Sequence, residues 1–137
     1  MCRAVKFHFD DREWESRFGH SQAKLPVMDR EQQILLRPWG RRPTERGKLP
    51  LGGIARLAHV HGGRWDKYFP KPVRVMVKSF CAVDVAGNEH WHVMTKGKFL
   101  QGLYARNENE SRFYLIVQDS PPDEAEYEVW PRILAAP

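Results

Sequence analysis

Residues 98–118 read KFLQGLYARNENESRFYLIVQ, and this stretch decides the fold. Two segments, 98–105 and 112–118, are rich in aromatic and aliphatic residues, and the polar residues 107–110 lie between them. Apolar runs of this length separated by turn residues are typical of a β-hairpin. We therefore predict an antiparallel pair of strands here.

A second hairpin is predicted just before the first. Residues 73–83 (VRVMVKSFCAV) and 89–94 (EHWHVM) flank a turn at Ala86-Gly87-Asn88. Two hairpins in series indicate an antiparallel, barrel-like sheet.

The first third of the chain adds shorter elements. Residues 2–9 alternate between apolar and polar side chains, which predicts a half-buried strand. Residues 10–19 predict a short helix that begins at an aspartate, carries Trp14 and Phe18 on one side and ends at a glycine. Residues 33–37 predict another strand. The whole pattern favours an α+β class, a β-rich single domain over residues 1–137 with a few short helices.

The composition of the chain bears on the cellular compartment in which we expect the protein. The chain has no long apolar run, so we expect no membrane span. It has two cysteines, Cys2 and Cys81, and no export signal at its start. We therefore expect reduced thiols in a cytoplasmic protein, with a disulfide between the two as the less favoured alternative.

Charge is unevenly distributed along the chain. Residues 1–78 hold 17 Lys and Arg against 8 Asp and Glu, whereas residues 79–137 hold 5 against 9. A basic half of this kind favours a polyanionic partner, most simply a nucleic acid. The alternative is that folding interleaves the charges.

A long loop, residues 39–53 (WGRRPTERGKLPLGG), concentrates much of the positive charge, and we call it the arginine-rich loop. Arginines can contact phosphates while aromatic rings stack on unpaired bases. The candidates for contact with single-stranded DNA are Arg37, Trp39, Arg41, Arg42 and Arg56. The alternative is a solvated loop, with Trp39 packed into the core beneath it.

Other chemistry is weakly indicated. The pairs His59/His61 and His90/His92 would each face one way on a strand and could clamp a metal. No third ligand accompanies them in a recognisable motif, and phosphate-loop and dinucleotide fingerprints are absent from the sequence. We expect neither a metal nor a cofactor.

Cys2 is the most informative residue. Methionine aminopeptidases tolerate a small second residue, so removal of Met1 would leave an amine and a thiol on adjacent carbons. Their reference pKa values are about 8 and about 8.5. Such a terminus can capture an aldehyde as an imine that closes to a five-membered thiazolidine. The alternative is a small strand residue packed in the core.

A collinear series of motifs resembles the SRAP family (SOS-response-associated peptidase-like proteins), which process abasic sites in single-stranded DNA. Members begin Met-Cys-Gly-Arg, and here Met1-Cys2-Arg3-Ala4 keeps the cysteine but not the glycine. The other similar segments, in chain order, are Trp39-Gly40-Arg41-Arg42-Pro43, Ile54-Ala55-Arg56-Leu57-Ala58-His59, Ser79-Phe80-Cys81-Ala82-Val83, Gln101-Gly102-Leu103-Tyr104, Phe113-Tyr114-Leu115-Ile116-Val117 and Tyr127-Glu128-Val129-Trp130-Pro131-Arg132-Ile133-Leu134.

This resemblance implies a C-terminally shortened SRAP-like domain that recognises abasic sites and can link to DNA through Cys2. It also implies that the Asn, Glu and His of the family site are replaced here by Ile54, Ala82 and Tyr127. Isoleucine and alanine exchange no proton, and tyrosine, with a reference pKa of about 10, is a poor base at neutral pH. The alternative function is a non-catalytic remnant that binds DNA or a protein. The sequence leaves the oligomeric state open.

Overall fold

The computed structural model describes residues 2–121, 123 and 126–136. Within them the chain forms twelve strands, one α-helix and one 3-10 turn. The elements are β1 (Cys2–Phe9), β2 (Arg12–Arg17), β3 (Lys24–Met28), β4 (Ile34–Pro38), β5 (Ile54–Arg56), α1 (Leu57–His61), a 3-10 turn (Asp66–Tyr68), β6 (Lys71–Val75), β7 (Ser79–Val83), β8 (Glu89–Val93), β9 (Lys98–Arg106), β10 (Ser111–Asp119), β11 (Val129–Pro131) and β12 (Ile133–Ala135).

The strands form two sheets. The smaller has the order β2-β1-β7-β8, and the larger runs β11-β10-β9-β6-β3-β4, with β12 paired to β9 and β5 paired to β10. The predicted hairpins β7–β8 and β9–β10 are therefore confirmed, and so is the β-rich character of the domain. The β5–β10 pair is parallel, unlike the other ladders.

The prediction of a barrel-like sheet is wrong in one respect, because the larger sheet does not close. A single bridge between Trp39 and Phe113 brings the end of β4 near β10, but no strand ladder joins them. The predicted strand over residues 73–83 is two strands, β6 and β7. The chain leaves the larger sheet after Val75 and enters the smaller sheet at Ser79. The single apolar run in the sequence therefore supplies one strand to each sheet.

The helix predicted over residues 10–19 is also wrong. Asp10 and Asp11 have φ angles of 52° and 61°, which is the left-handed backbone of a two-residue hairpin turn. The chain reverses there and β2 pairs with β1, which sets Trp14 opposite Phe7 with the two rings stacked at 6.2 Å. Cross-strand aromatic packing thus outweighs the helical spacing of Trp14 and Phe18.

The two sheets pack against each other over one apolar cluster. Its members include Phe7, Leu25, Val75, Phe80 and Leu115, all buried. A second cluster fills the other face of the larger sheet beneath α1, around Leu103, Trp65 and Tyr114. In the described part of the chain, no helix has the length and apolar character needed to cross a membrane.

Candidate functional site

Cys2 lies at the start of β1, and a β-bulge determines which way it faces. Cys2 pairs with Ala82 of β7, and Ala4 pairs with the next residue, Cys81, so Arg3 is an extra residue in the register. Because of this extra residue, Cys2 shares the inward face of β1 with Val5 instead of alternating with it. The bulge turns the sulfur toward the interior between the sheets.

Cys2 also lines a pocket of about 470 Å³, which we call the Cys2 pocket. Four separate parts of the chain meet there: the start of β1, the end of β2 with the residues that follow it, the end of the arginine-rich loop with the start of β5, and the start of β8. The lining residues are Cys2, Arg3, Arg17, Phe18, Gly19, His20, Gly52, Gly53, Ile54 and Glu89. A concave site of this volume suits a small ligand or one unit of a polymer.

The thiol of Cys2 is held in its neutral form. The residue is only 3% exposed, and this burial raises the pKa of the thiol to about 12, with a smaller contribution from Cys81. A thiol with such a pKa is almost wholly protonated at neutral pH, and the thiolate is the stronger nucleophile. Both cysteines are free, and they point to opposite faces of the smaller sheet.

The charged rim of the pocket is largely paired. Arg3 and Arg17 each donate to Glu89, with N–O distances of 3.1 and 3.2 Å. The hydrogen bond from Arg17 holds the pKa of the Glu89 carboxyl below its ordinary value, so Glu89 is ionised at neutral pH. His20 is exposed on the same rim. Arg17 also pairs with Glu15 at 2.8 Å, so two carboxylates balance the two guanidinium groups of the rim.

Ile54, Ala82 and Tyr127 lie at different distances from Cys2. Ile54 lines the pocket, Ala82 is the cross-strand neighbour of Cys2, and Tyr127 belongs to the same buried cluster. The hydroxyl of Tyr127 lies 3.0 Å from Nε2 of His92. Ile54 and Ala82 are thus the two of these residues next to Cys2, and both are apolar and add no proton-transfer group there.

Sequence reasoning missed several polar residues near Cys2. Arg17, His20 and Glu89 belong to no motif and nothing in their spacing marks them, while Arg3 lies inside the segment Met1-Cys2-Arg3-Ala4 but was given no role. His90 was considered only as a metal ligand, yet it lies opposite Ala82 and its Nε2 is 2.7 Å from the Asp84 carboxylate.

The arginine-rich loop turns its predicted DNA contacts inward. Arg42 is 6% exposed, and its guanidinium donates to the carbonyls of Phe18 (2.7 Å) and Trp39 (2.9 Å) and to the Glu45 carboxylate (3.0 Å). These contacts correct the prediction that Arg42 reaches a phosphate, because its donors are used within the protein.

Trp39 and Arg41 have similar internal roles. Trp39 is fully buried, and its indole N–H donates to the Gly53 carbonyl at 2.9 Å, so the core alternative describes it and base stacking does not. Arg41 donates to the carbonyls of Leu49 (2.6 Å) and Glu45 (3.0 Å).

The remaining predicted contacts lie on the surface in two different places. Arg56 is on the same side of β5 as Ile54, two residues beyond the Cys2 pocket, and pairs loosely with Glu128 at 3.4 Å. Arg37 is exposed on β4 and lines a separate groove. Neither arginine lines the Cys2 pocket, and Arg56 is the one that follows a lining residue on the same strand.

The histidine pairs do not form a metal site in the part of the chain that is described, where no group of three or more His, Cys, Asp or Glu lies close enough to bind an ion. His59 and His61 are on α1, not on a strand, and residues two apart on a helix do not face each other. His90 and His92 contact Asp84 and Tyr127 instead.

Comparison with known proteins supplies no further identification. The chain matches no protein-family model, no curated protein and no solved structure. Any functional conclusion therefore rests on the motifs of the sequence and on the geometry around Cys2.

Proposed function

We propose that the protein recognises abasic sites in single-stranded DNA and links to them covalently through Cys2 after Met1 has been removed. The observation that carries this proposal is the position of Cys2 in a pocket that also holds two guanidinium groups. A sugar without its base is small enough for a cavity of about 470 Å³. The flanking phosphates would meet Arg3 and Arg17 at the rim, with Arg56 two residues beyond the pocket along β5.

The chemistry needs no further reactant. The free amine of Cys2 adds to the open-chain aldehyde and loses one water to give an imine. The sulfur then bonds to the same carbon, and the thiol proton passes to the nitrogen. The result is a thiazolidine, formed with release of one water and without cleavage of the DNA backbone. A reducing cytoplasm would keep the thiol available for this step.

The same geometry makes the proposed reaction slow. The thiol is buried and neutral, and the two closest family positions are isoleucine and alanine. General acid–base assistance commonly contributes about 10²–10⁴-fold in rate, and these residues cannot supply it. We therefore expect capture over hours, faster at mildly alkaline pH where more amine and thiolate are present.

The test is incubation of the purified protein with a single-stranded oligonucleotide bearing one abasic site. We expect a heat-stable adduct whose intact mass equals protein without Met1 plus oligonucleotide minus one water. Cys2→Ala should abolish it, whereas Cys81→Ala, which removes the other buried thiol, should not. An adduct that survives Cys2→Ala, or no adduct from protein shown by mass to lack Met1, would contradict the proposal.

A second candidate function is reversible DNA binding without covalent capture. The observation that favours it is the burial of the Cys2 thiol together with the loss of proton-transfer residues at Ile54 and Ala82. This function predicts salt-sensitive association that Cys2→Ala leaves unchanged, with no adduct at any pH.

A further inference from the structure

A second concave region lies away from the Cys2 pocket and shares no residue with it. This groove has a volume of about 720 Å³ and is formed by the β3–β4 hairpin, β6 and β9. We call it the basic groove. Its lining combines basic, aromatic and amide side chains, among them Arg30, Arg37, Lys71, Arg74, Gln101 and Tyr104.

The groove lies beside the shortest ladder of the larger sheet. Strands β3 and β6 pair only through Val27–Val75 and Met28–Arg74. The chain of β3 then turns back at residues 29–33 into β4, so the first half of β6 runs past the end of this ladder. The short ladder leaves a cleft between the hairpin and the rest of the sheet.

Four cations line this cleft: Arg30, Arg37, Lys71 and Arg74. None of them forms an ion pair with any residue that the structure describes. The single acidic residue of the lining is Asp29, whose Oδ1 accepts a hydrogen bond from the Gln33 amide at 2.8 Å. The groove therefore carries an uncompensated positive charge, which attracts anions.

Aromatic and amide groups accompany the cations. The guanidinium of Arg74 lies 4.8 Å above the Phe99 ring, and the Tyr104 and Phe113 rings are 5.0 Å apart. The Oε1 atom of Gln101 is buried and has no hydrogen-bond partner among the described residues. An unmet acceptor of this kind suits a ligand with N–H donors. Phosphates, flat rings and N–H groups occur together in nucleotides.

We propose that the basic groove is a second binding site, for single-stranded nucleic acid, in which the four cations contact phosphates. Binding in the basic groove goes beyond the abasic-site function, because it requires neither a damaged nucleotide nor Cys2. Single strands suit the site because Tyr104, the one partly exposed ring of the three, lies beside the basic track, and aromatic side chains in such a position stack on unpaired bases.

The test measures the affinity of the protein for unmodified oligothymidylate by fluorescence anisotropy at several salt concentrations. Four phosphate contacts predict a slope of log K against log salt of about −2.8, at about 0.7 per contact. The double variant Lys71→Gln/Arg74→Gln should reduce the slope to about −1.4 and weaken binding about 25-fold at 0.1 M salt.

A matched control is Arg12→Gln/Lys96→Gln. Like the groove variant, it removes one exposed arginine that lies over an aromatic ring and one exposed lysine. Both residues lie outside the groove. The slope and affinity of this control should stay near those of the unmodified protein. Equal losses in both double variants would overturn the proposal, because they would reflect net charge alone. Competition by inorganic polyphosphate as effective as by the oligonucleotide, at equal phosphate concentration, would overturn the assignment to nucleic acid.

Failure of this proposal is distinguishable from failure of the abasic-site function. The oligonucleotide carries no abasic site, and Cys2→Ala should bind it with unchanged affinity. Loss of binding in Cys2→Ala would place the undamaged strand in the Cys2 pocket and overturn the inference of a separate groove.

Discussion

Four cations lie in the arginine-rich loop and four line the basic groove, but the two regions hold them differently. Arg41 and Arg42 of the loop donate to main-chain carbonyls and to Glu45. Arg37 and Arg74 of the groove pair with no acid among the described residues. Fifteen irregular residues present many backbone carbonyls that need donors, and the loop arginines supply them. The comparison teaches that a cation near an irregular segment is often part of its internal scaffold.

The largest expected effect tests the scaffold role directly. Arg42→Gln removes a buried cation with hydrogen bonds to Phe18, Trp39 and Glu45, and leaves a half-buried carboxylate with fewer partners. We expect the free energy of unfolding to fall by about 3 kcal/mol. Arg37→Gln, an exposed arginine in the groove, should change it by less than about 0.5 kcal/mol. Urea denaturation of both variants measures the difference in the free energy of unfolding. Equal, small decreases in the two variants would contradict the structural role of Arg42.

The second prediction concerns the alkaline stability that the buried Cys2 thiol provides. Its folded pKa of about 12 exceeds its ordinary value of 9.0, so the folded state favours the neutral thiol. The contribution is therefore full below about pH 9 and is lost as pH rises toward 12, by up to about 1.4 kcal/mol per pH unit. Between pH 9 and 10.5, Cys2→Ala should lose stability less steeply than the unmodified protein, by a total of about 2 kcal/mol. If the unfolding free energies of the two proteins fall in parallel with rising pH, the Cys2 thiol is not shielded from water in the folded state.

The smallest expected effect comes from a variant that removes an acidic partner of the cations in the Cys2 pocket, so that they have fewer ion pairs, as the cations of the basic groove do. Glu89→Gln removes the carboxylate shared by Arg3 and Arg17. Since these pairs are exposed to solvent, we expect only a small loss in the free energy of unfolding. Affinity for single-stranded DNA with an abasic site should rise several-fold at low salt.

The matched control for that variant is Glu13→Gln. Glu13 likewise pairs with two basic side chains, Lys78 and His8, but does not line the Cys2 pocket. An equal rise in affinity for both variants would indicate a general effect of net charge and not a local effect in the pocket.

The sequence predicts the hairpins well because alternation and turn residues are local signals. Strands β7 to β10 follow directly from them. Strand β2 was missed because Trp14 and Phe18 have helical spacing, and the tight turn at Asp10 and Asp11 depends on positive φ angles that aspartate adopts less readily than glycine. Strand β3 was missed because Pro26 lies inside it, and proline usually argues against an interior strand.

The site was predictable only in outline. The motif series named Cys2, Ile54, Ala82 and Tyr127; in the fold Ile54 lines the Cys2 pocket and Ala82 is the cross-strand neighbour of Cys2. Burial of the thiol and the shared carboxylate of Glu89 depend on strand register and on long-range contacts, which no local pattern reveals. For the same reason the sequence placed Arg42 at a DNA surface, since its charge was visible and its three acceptors were not.

The extra residue at Arg3 has a consequence for protein engineering. A shortening of one residue at that position would remove the bulge and restore simple alternation, and the terminal cysteine would still lie opposite Ala82 on the inward face that Val5 occupies. The bulge therefore lets a chain that is one residue longer keep its terminal sulfur on the same side. Deleting Arg3 is expected to leave the thiol buried, so the distance in sequence between the cysteine and the rest of β1 can vary by one residue without exposing it.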